Sequence, residues 1–258
     1  MEFKLTEQDG NLFLSIPELT ELGLLNVMTT KSMDVGTYTN GNESSIIDNF
    51  EDAYRFLGKK PEILYNGYQV HSANLELIKD FSQGVKTPYG RYIPSTDGLL
   101  TSKKSIALLT RFADCVPIIL YDAKLGVHAN IHSGWKGTLL GIGVKALKAM
   151  VIEYRSNPLD VIAILGPSID RDDFEVEYDV ASMFKREYGH IDDSVRRKND
   201  EKYLVDLQGI IKYLLKEAGI SDENLYTVPI STFSDHRFHS YRRDKENYGL
   251  MGFITMLK

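Results

Sequence analysis

The chain has 258 residues, 43% of them hydrophobic and 26% charged, a balance that fits a globular protein long enough to bury a substantial core. Its formal net charge of −6 offers no overall positive field to draw it to nucleic acid or anionic membranes, and its apolar runs, about 6 to 10 residues long, fall short of the roughly 20 that span a bilayer. A single cysteine cannot close an internal disulfide, and MEFKLTEQDGNLFLSIPEL has no basic segment feeding an unbroken apolar run, so a reducing compartment, the cytoplasm, is expected.

No repeat or Pro/Ser-rich linker divides the chain, and one domain over residues 1–258 is expected. NLFLSIPEL and LLNVMTT predict early strands, followed by a long polar turn, TTKSMDVGTYTNGNESS. IIDNFEDAYRFLG sets Ile47, Phe50, Tyr54, Phe56 and Leu57 at helical spacing and stops at Gly58, a C-cap signal. EILYNGYQVHSANLELI is strand-like, with His71 near the end of the run. DGLLT and SIALLTRFADCVPIILYD read as central strands buried on both faces, and VHANIH as another after the turn AKLG. Thr138 is the expected N-cap of a long helix, TLLGIGVKALKAMVIEYR, with Leu140, Val144, Leu147, Met150 and Val151 on one face. DVIAILGPSI is again a strand, DVASMFKREY and VDLQGIIKYLLKEAGI are helices, the latter closed by Gly219, and NLYTVPIST and GLMGFITMLK are strands. Without a regular βαβ alternation, this order predicts a layered α+β architecture.

Three side chains could carry chemistry. His71, Cys115 and His132 each fall near a strand end or in a turn, where a side chain can project from a rigid sheet into a cleft. Two imidazoles and a thiolate suit a tetrahedral zinc site with its fourth position open. The spacing matches no zinc-finger pattern, and a lone cysteine beside VPIIL is more often a small buried hydrophobe. His128, four residues before His132 in HANIH, lacks the glutamate of a zincin motif and is read as structural. Trp135 in HSGWKGT is read as core packing.

FADCVPIILYD followed by HSGWKGT resembles the signature of the laccase-domain family, also called polyphenol-oxidase-like or peptidoglycan-editing-factor-like proteins. MTTKSMDVG, YQVHSANL, DGLLT, LGPSIDRDDFEVEYDV, YLVDLQGI and FHSYRRD extend the resemblance, in order, over almost the whole chain. The resemblance implies a single-domain four-layer α/β/β/α sandwich, and zinc held by His71, Cys115 and His132 as the catalytic group. It also implies purine nucleoside phosphorylase activity, in which phosphate and adenosine, inosine or methylthioadenosine give a free base and a ribose 1-phosphate. Adenosine deamination is a second implied activity. The expected partners are the small-molecule nucleoside and phosphate, and a monomer is expected.

Phosphorolysis needs cations to hold a dianionic phosphate beside an oxocarbenium-like sugar, and Lys31, Lys136, Arg242 and Arg243 lie in the matching segments. Deamination needs a metal-activated water and a nearby acid. Asp114, adjacent to the cysteine, is either an orienting or proton-carrying group or a structural hydrogen-bonding one. Several positions depart from the family pattern. Lys31 and Lys136 stand where arginines are usual, Ser32 and Met33 replace a glycine pair, Leu250 replaces a third arginine, and Ser231-Thr232 replaces a Cys-Thr pair. Positive charge survives at two of the three arginine positions, but two-pronged geometry does not.

The same residues fit other readings. Six histidines with no HxH pair are too few for a four-copper oxidase, although one copper in place of zinc could give weak phenol oxidation. A Cys/His hydrolase or amidase would use Cys115 as nucleophile and His132 as base; the catalytic domain of cytotoxic necrotizing factor, a Cys-His deamidase, has a similar fold. A non-catalytic peptidoglycan-editing factor would turn over no nucleoside.

Overall fold

A computed structural model describes residues 1–39 and 42–258. Asn40 and Gly41 of the anticipated polar turn lie outside the described residues. The chain begins with β1 (Lys4–Gln8), β2 (Asn11–Ser15), α1 (Pro17–Glu21), β3 (Leu24–Thr29), α2 (Glu43–Leu57), β4 (Ile63–Gly67), β5 (Leu75–Leu77), β6 (Val85–Thr87) and β7 (Gly90–Ile93). The middle comprises β8 (Gly98–Thr101), β9 (Ile106–Phe112), β10 (Val116–Asp122), β11 (Val127–Ser133), α3 (Trp135–Leu139), α4 (Ile142–Tyr154) and β12 (Val161–Leu165). It closes with β13 (Glu175–Glu177), α5 (Tyr178–Tyr188), β14 (Val195–Arg197), β15 (Lys202–Val205), α6 (Leu207–Glu217), β16 (Leu225–Thr227), α7 (Tyr241–Asp244) and β17 (Met251–Leu257).

Among the described residues these strands form an eight-stranded sheet, β1-β2-β3-β17-β9-β4-β7-β6, a six-stranded sheet, β16-β12-β10-β11-β8-β5, and a small sheet, β13-β15-β14. The alternation of side chains along each strand explains how they stack. On β9, Ala107 and Leu109 pack with Ile46, Phe50 and Tyr54 of α2, while Ile106 and Leu108 pack with Leu99 of the six-stranded sheet. On β10, Ile119 and Tyr121 face Phe112 and Phe253 across the sandwich, while Val116, Ile118 and Leu120 pack beneath Ile142 and Ala146 of α4 and Leu215 of α6. The layers are therefore α2, the larger sheet, the smaller sheet, and α4 with α6, the α/β/β/α sandwich expected. β9, β10 and β11 are buried along their full lengths, as strands covered on both faces must be.

Helix α2 begins where the side chain of Asn42 accepts the Ser44 and Ser45 N–H groups and ends at Gly58, whose φ of 69° makes it the left-handed C-cap. Its buried stripe is Ile46, Phe50, Ala53 and Tyr54, so Ile46 rather than Ile47 faces the core.

Three sequence expectations are corrected. SIALLTRFADCVPIILYD is two strands in different sheets, β9 and β10, with Ala113-Asp114-Cys115 as the crossing. EILYNGYQVHSANLELI divides in the same way, into β4 of the larger sheet and β5 of the smaller, with the QVHS loop between them. The long helix starts earlier, at Trp135, and is broken at Gly141, whose φ is 68°. Thr138 is inside α3, where its hydroxyl pairs with Ser133 Oγ at 2.9 Å instead of capping an end. That break turns Leu140 outward, and Val151 is also exposed, so the face that α4 buries is Ile142, Gly143, Ala146, Leu147 and Met150.

Candidate functional site

Both sheet-to-sheet crossings meet at one end of the sandwich, beside the C-terminal end of β11, and bring together side chains distant in sequence. The metal-binding atoms of His71, Cys115 and His132 all lie within 4.8 Å of one another. Cys115 Sγ is 3.8 Å from His71 Nε2, and the two imidazole rings meet edge to face with centroids 4.9 Å apart. Among the described residues this is the one such group of three or more His, Cys, Asp or Glu side chains.

Asp97, just before β8, organises the cluster. Its carboxylate accepts the N–H groups of Val70 at 3.3 Å, His71 at 3.0 Å and Ser72 at 2.8 Å, and the Ser72 hydroxyl at 2.6 Å, folding the QVHS loop around itself. It also accepts from His132 Nδ1 at 2.9 Å, and because a carboxylate can only accept, this fixes the proton on Nδ1 and leaves Nε2 for the cluster. Burial pushes the Asp97 carboxyl up, but the hydrogen bonds from His132 and Ser72 outweigh it and pull the group down to about 2. Burial also pushes the Cys115 thiol up, and the adjacent His132 and His71 more than reverse this, favouring thiolate. Burial disfavours the His132 cation, while Cys115 and Asp97 raise its pKa above the ordinary imidazole range.

Gln69 ties the loop to β9 with two bonds to one residue: its Nε2 donates to the Arg111 carbonyl at 2.7 Å, and its Oε1 accepts the Arg111 N–H at 2.9 Å. His71 itself has φ 58°, a left-handed conformation sustained by the Asp97 bonds. Gly134 admits the cluster sterically, because a Cβ there would stand 2.5 Å from His71 Cδ2 and 3.1 Å from Cys115 Sγ.

The three side chains line a cavity of about 830 Å³ whose wall also includes Trp135, Phe174, Arg242, Arg111, Tyr89 and Asn66. The expected cations divide within it. Arg242 lines the cavity with its guanidinium 5.6 Å from the Phe174 ring centroid. Arg243 turns away: it donates to the carbonyls of Thr232, Phe233 and Phe238 and to Asp244, holding the 232–244 segment together. Lys31 is paired with Asp244 at 3.2 Å, and Lys136 stands over the Trp135 ring at 5.4 Å; among the described lining residues neither is present. Leu250 leaves the wall apolar where the family pattern has an arginine.

Asp114 lines the cavity and is tied into hydrogen bonds there. At φ 80°, it accepts from Thr232 Oγ1 at 2.7 Å, Ser240 Oγ at 3.0 Å and the Arg242 N–H at 2.6 Å, docking the Arg242 segment onto the Cys115 turn. Asp97 orients the histidine instead. His128 is fully buried between the sheets, with Nδ1 3.1 Å from Thr255 Oγ1. Sequence reasoning assigned no role to Asp97, Gln69 or Arg111. Gln69 and Asp97 lie inside the quoted motifs YQVHSANL and DGLLT, and Arg111 is a lone charge inside an otherwise buried strand, a signal in itself.

This is a mixed α/β sandwich with a His/Cys/His cluster on a cavity wall, capable of holding one metal ion with a position left over. Residues 21–258 match the family described as multi-copper polyphenol oxidoreductase laccase, and the chain belongs to that family. It is 27% identical over 241 residues to purine nucleoside phosphorylase YlmD of Bacillus subtilis, covering 92% of this chain and 86% of the relative. A purine nucleoside phosphorylase of Bacteroides thetaiotaomicron is 31% identical over 186 residues, 71% of this chain and 69% of that one. In fold the chain is similar to the crystal structure of Bacillus licheniformis hypothetical protein YfiH, with a TM-score of 0.89, 24% identity, and 98% and 99% of the two chains covered. Among the described residues no helix is long and apolar enough to cross a membrane.

Proposed function

We propose that residues 1–258 act as one zinc-dependent purine nucleoside phosphorylase domain, monomeric and cytoplasmic, converting adenosine, inosine or methylthioadenosine and phosphate to free base and the sugar 1-phosphate. The observation that carries this reading is the His71/Cys115/His132 cluster on the wall of a cavity that also holds Arg242. Two imidazoles, one with its tautomer fixed by Asp97, and a thiol biased towards thiolate form a donor set suited to zinc. Zinc bound there would supply Lewis acidity beside the sugar or base. Arg242 supports phosphate binding, since a guanidinium grips phosphate oxygens in pairs. Arg243 keeps that segment in place, and Lys31 and Lys136 add charge outside the cavity wall. The names of the relatives agree with this activity. Adenosine deamination would use the same metal and cavity.

The test is inosine with the purified, zinc-quantified protein. Hypoxanthine is released only when phosphate is present, and the His71→Ala variant releases none. Release unaffected by omitting phosphate would make the enzyme a hydrolase, and no release from zinc-loaded protein would overturn the reading.

The lowered thiol pKa favours a second reading, in which Cys115 is the nucleophile of a hydrolase or amidase and His132 its base. Metal content separates them: full activity in chelator-treated, metal-free protein selects the nucleophile. Copper reconstitution followed by a phenol oxidation assay tests the oxidase alternative.

A further inference from the structure

Buried polar atoms need partners, so several without one on the wall of a single cavity point to a ligand or water there. Asn66 Oδ1, Thr87 Oγ1 and Arg111 Nη2 are buried and have no hydrogen-bond partner among the described residues, and all three side chains line the cavity that holds the His/Cys/His cluster. Arg111 is 7% exposed, and against burial, which disfavours its cation, Tyr89, through a side-chain hydrogen bond, and the Asp34 carboxylate favour it. It is held by the Val35 carbonyl, which accepts from Nε at 2.7 Å, and by the Tyr89 and Phe50 rings, 5.4 and 5.9 Å from its guanidinium carbon, and Nη2 is the nitrogen left over. Asn66 has its orientation set, because Nδ2 donates to the Gly67 carbonyl at 3.1 Å and Oδ1 is the end left over. Around these groups the cavity wall is aromatic, with Tyr38, Tyr68, Tyr89 and Tyr92.

The open groups are therefore a cationic donor, an acceptor and a hydroxyl that can do either, beside flat aromatic surfaces. A phosphate could turn a P–O–H donor towards Asn66 Oδ1, but its tetrahedron has no flat face for the surrounding tyrosines. A 6-oxopurine offers O6 and N7 as acceptors for a guanidinium, an N1–H for a carbonyl oxygen, and a ring face for tyrosines. A 6-aminopurine points an amino donor at the guanidinium. We propose that Arg111, Asn66 and Thr87 form the base-edge subsite of the cavity and select 6-oxopurines over 6-aminopurines. The proposal rests on the nucleoside reading above and adds which purine the site prefers.

Binding of free bases tests it without turnover, because Trp135, the sole tryptophan, lines the same cavity and reports occupancy by its fluorescence. Hypoxanthine should bind at least about tenfold tighter than adenine, the scale of one good paired contact to a base edge. The Arg111→Met variant should lose that preference. Should that variant fail to fold, Thr87→Val removes an unpartnered hydroxyl at little cost to the fold and should weaken hypoxanthine severalfold while leaving its melting curve in place. Equal affinity of the wild-type protein for both bases overturns the proposal, as does a preference that survives both variants. Inorganic phosphate that competes with neither base but loses affinity on Arg111→Met would make Arg111 an anion site, which also overturns it. Selective binding of hypoxanthine without phosphorolysis leaves the subsite standing and removes the catalytic reading, while phosphorolysis without base preference does the reverse.

Discussion

At the scale of single residues, the centre depends on groups that face away from it. Asp97 joins three backbone N–H groups, a hydroxyl and an imidazole, so it both shapes the QVHS loop and aims His132. In Asp97→Asn the amide can accept at one atom only and must set an NH2 against donors. Zinc affinity is expected to fall about 10- to 100-fold, the usual effect of losing a group that orients a metal-binding histidine. Competitive chelator titration measures it, and unchanged affinity would remove Asp97 from the centre. Neighbouring arginines should behave in opposite ways. Arg243→Lys gives up several simultaneous bonds to carbonyls and Asp244, and should cost about 2 kcal/mol of stability by denaturant melts. Arg242→Ala, whose guanidinium stacks on Phe174 in the cavity, should leave the melt nearly unchanged and raise the KM for phosphate.

At the scale of elements, the decisive feature is that the chain changes sheets twice within the motifs that carry the ligands. A run such as SIALLTRFADCVPIILYD reads as continuous strand because β9 and β10 are both buried on two faces and show no polar alternation to mark the break. Nothing in local periodicity says that the two halves pair with different partners, so the crossing became visible only in the fold, whereas the grouping of His71 with Cys115 was expected from the motif resemblance. The three side chains that the fold gathers were named from the sequence, because the motifs around them resemble a family pattern; by residue type alone the cysteine reads as core packing. Asp97 and Arg111 were not, since their roles depend on long-range hydrogen bonds and on a cavity. α2 was legible at its Gly58 end, where backbone chemistry is local, whereas α3 and α4 were merged because nothing in the run GIGVKAL reveals which of its glycines is left-handed. The β11–α3 junction provides a test at this scale. In Gly134→Ala the added methyl would overlap the His71 ring, which is exposed and can swing aside while its loop and β11 stay in place. The variant should fold with a near-normal melt and bind zinc at least about tenfold more weakly, and normal zinc binding would mean that the junction does not set the spacing of the cluster.

At the scale of the whole molecule, the two sheets are joined by an apolar core with a polar seam through it. His128 and Asn130 of β11 reach Thr255 of β17, and Asn130 also donates to the Leu108 and Phe253 carbonyls. Burial drives the pKa of His128 down to about 3 from an ordinary 6.5, and its Nε2 has no partner among the described residues to hold a second proton. Between those two values the unfolded chain binds a proton at this position and the folded chain does not. Stability is therefore fully present above about pH 6.5 and falls as the pH drops towards 3, by up to about 1.4 kcal/mol per pH unit from this residue. His239, lowered in the same direction by its own burial, adds to that slope. His132, raised by Cys115 and Asp97, contributes with the opposite sign above pH 6.5 and so stays out of the acid window, where the difference between wild-type and variant slopes reports His128. Replacing His128 with Phe keeps a planar ring, somewhat larger, without the titrating nitrogens, and leaves Thr255 Oγ1 bonded to Asn130 at 3.2 Å. Unfolding free energies measured from pH 4.5 to 6.5 should then show a shallower slope in His128→Phe than in the wild-type protein, and parallel slopes would exclude His128 as the proton that parts the sheets.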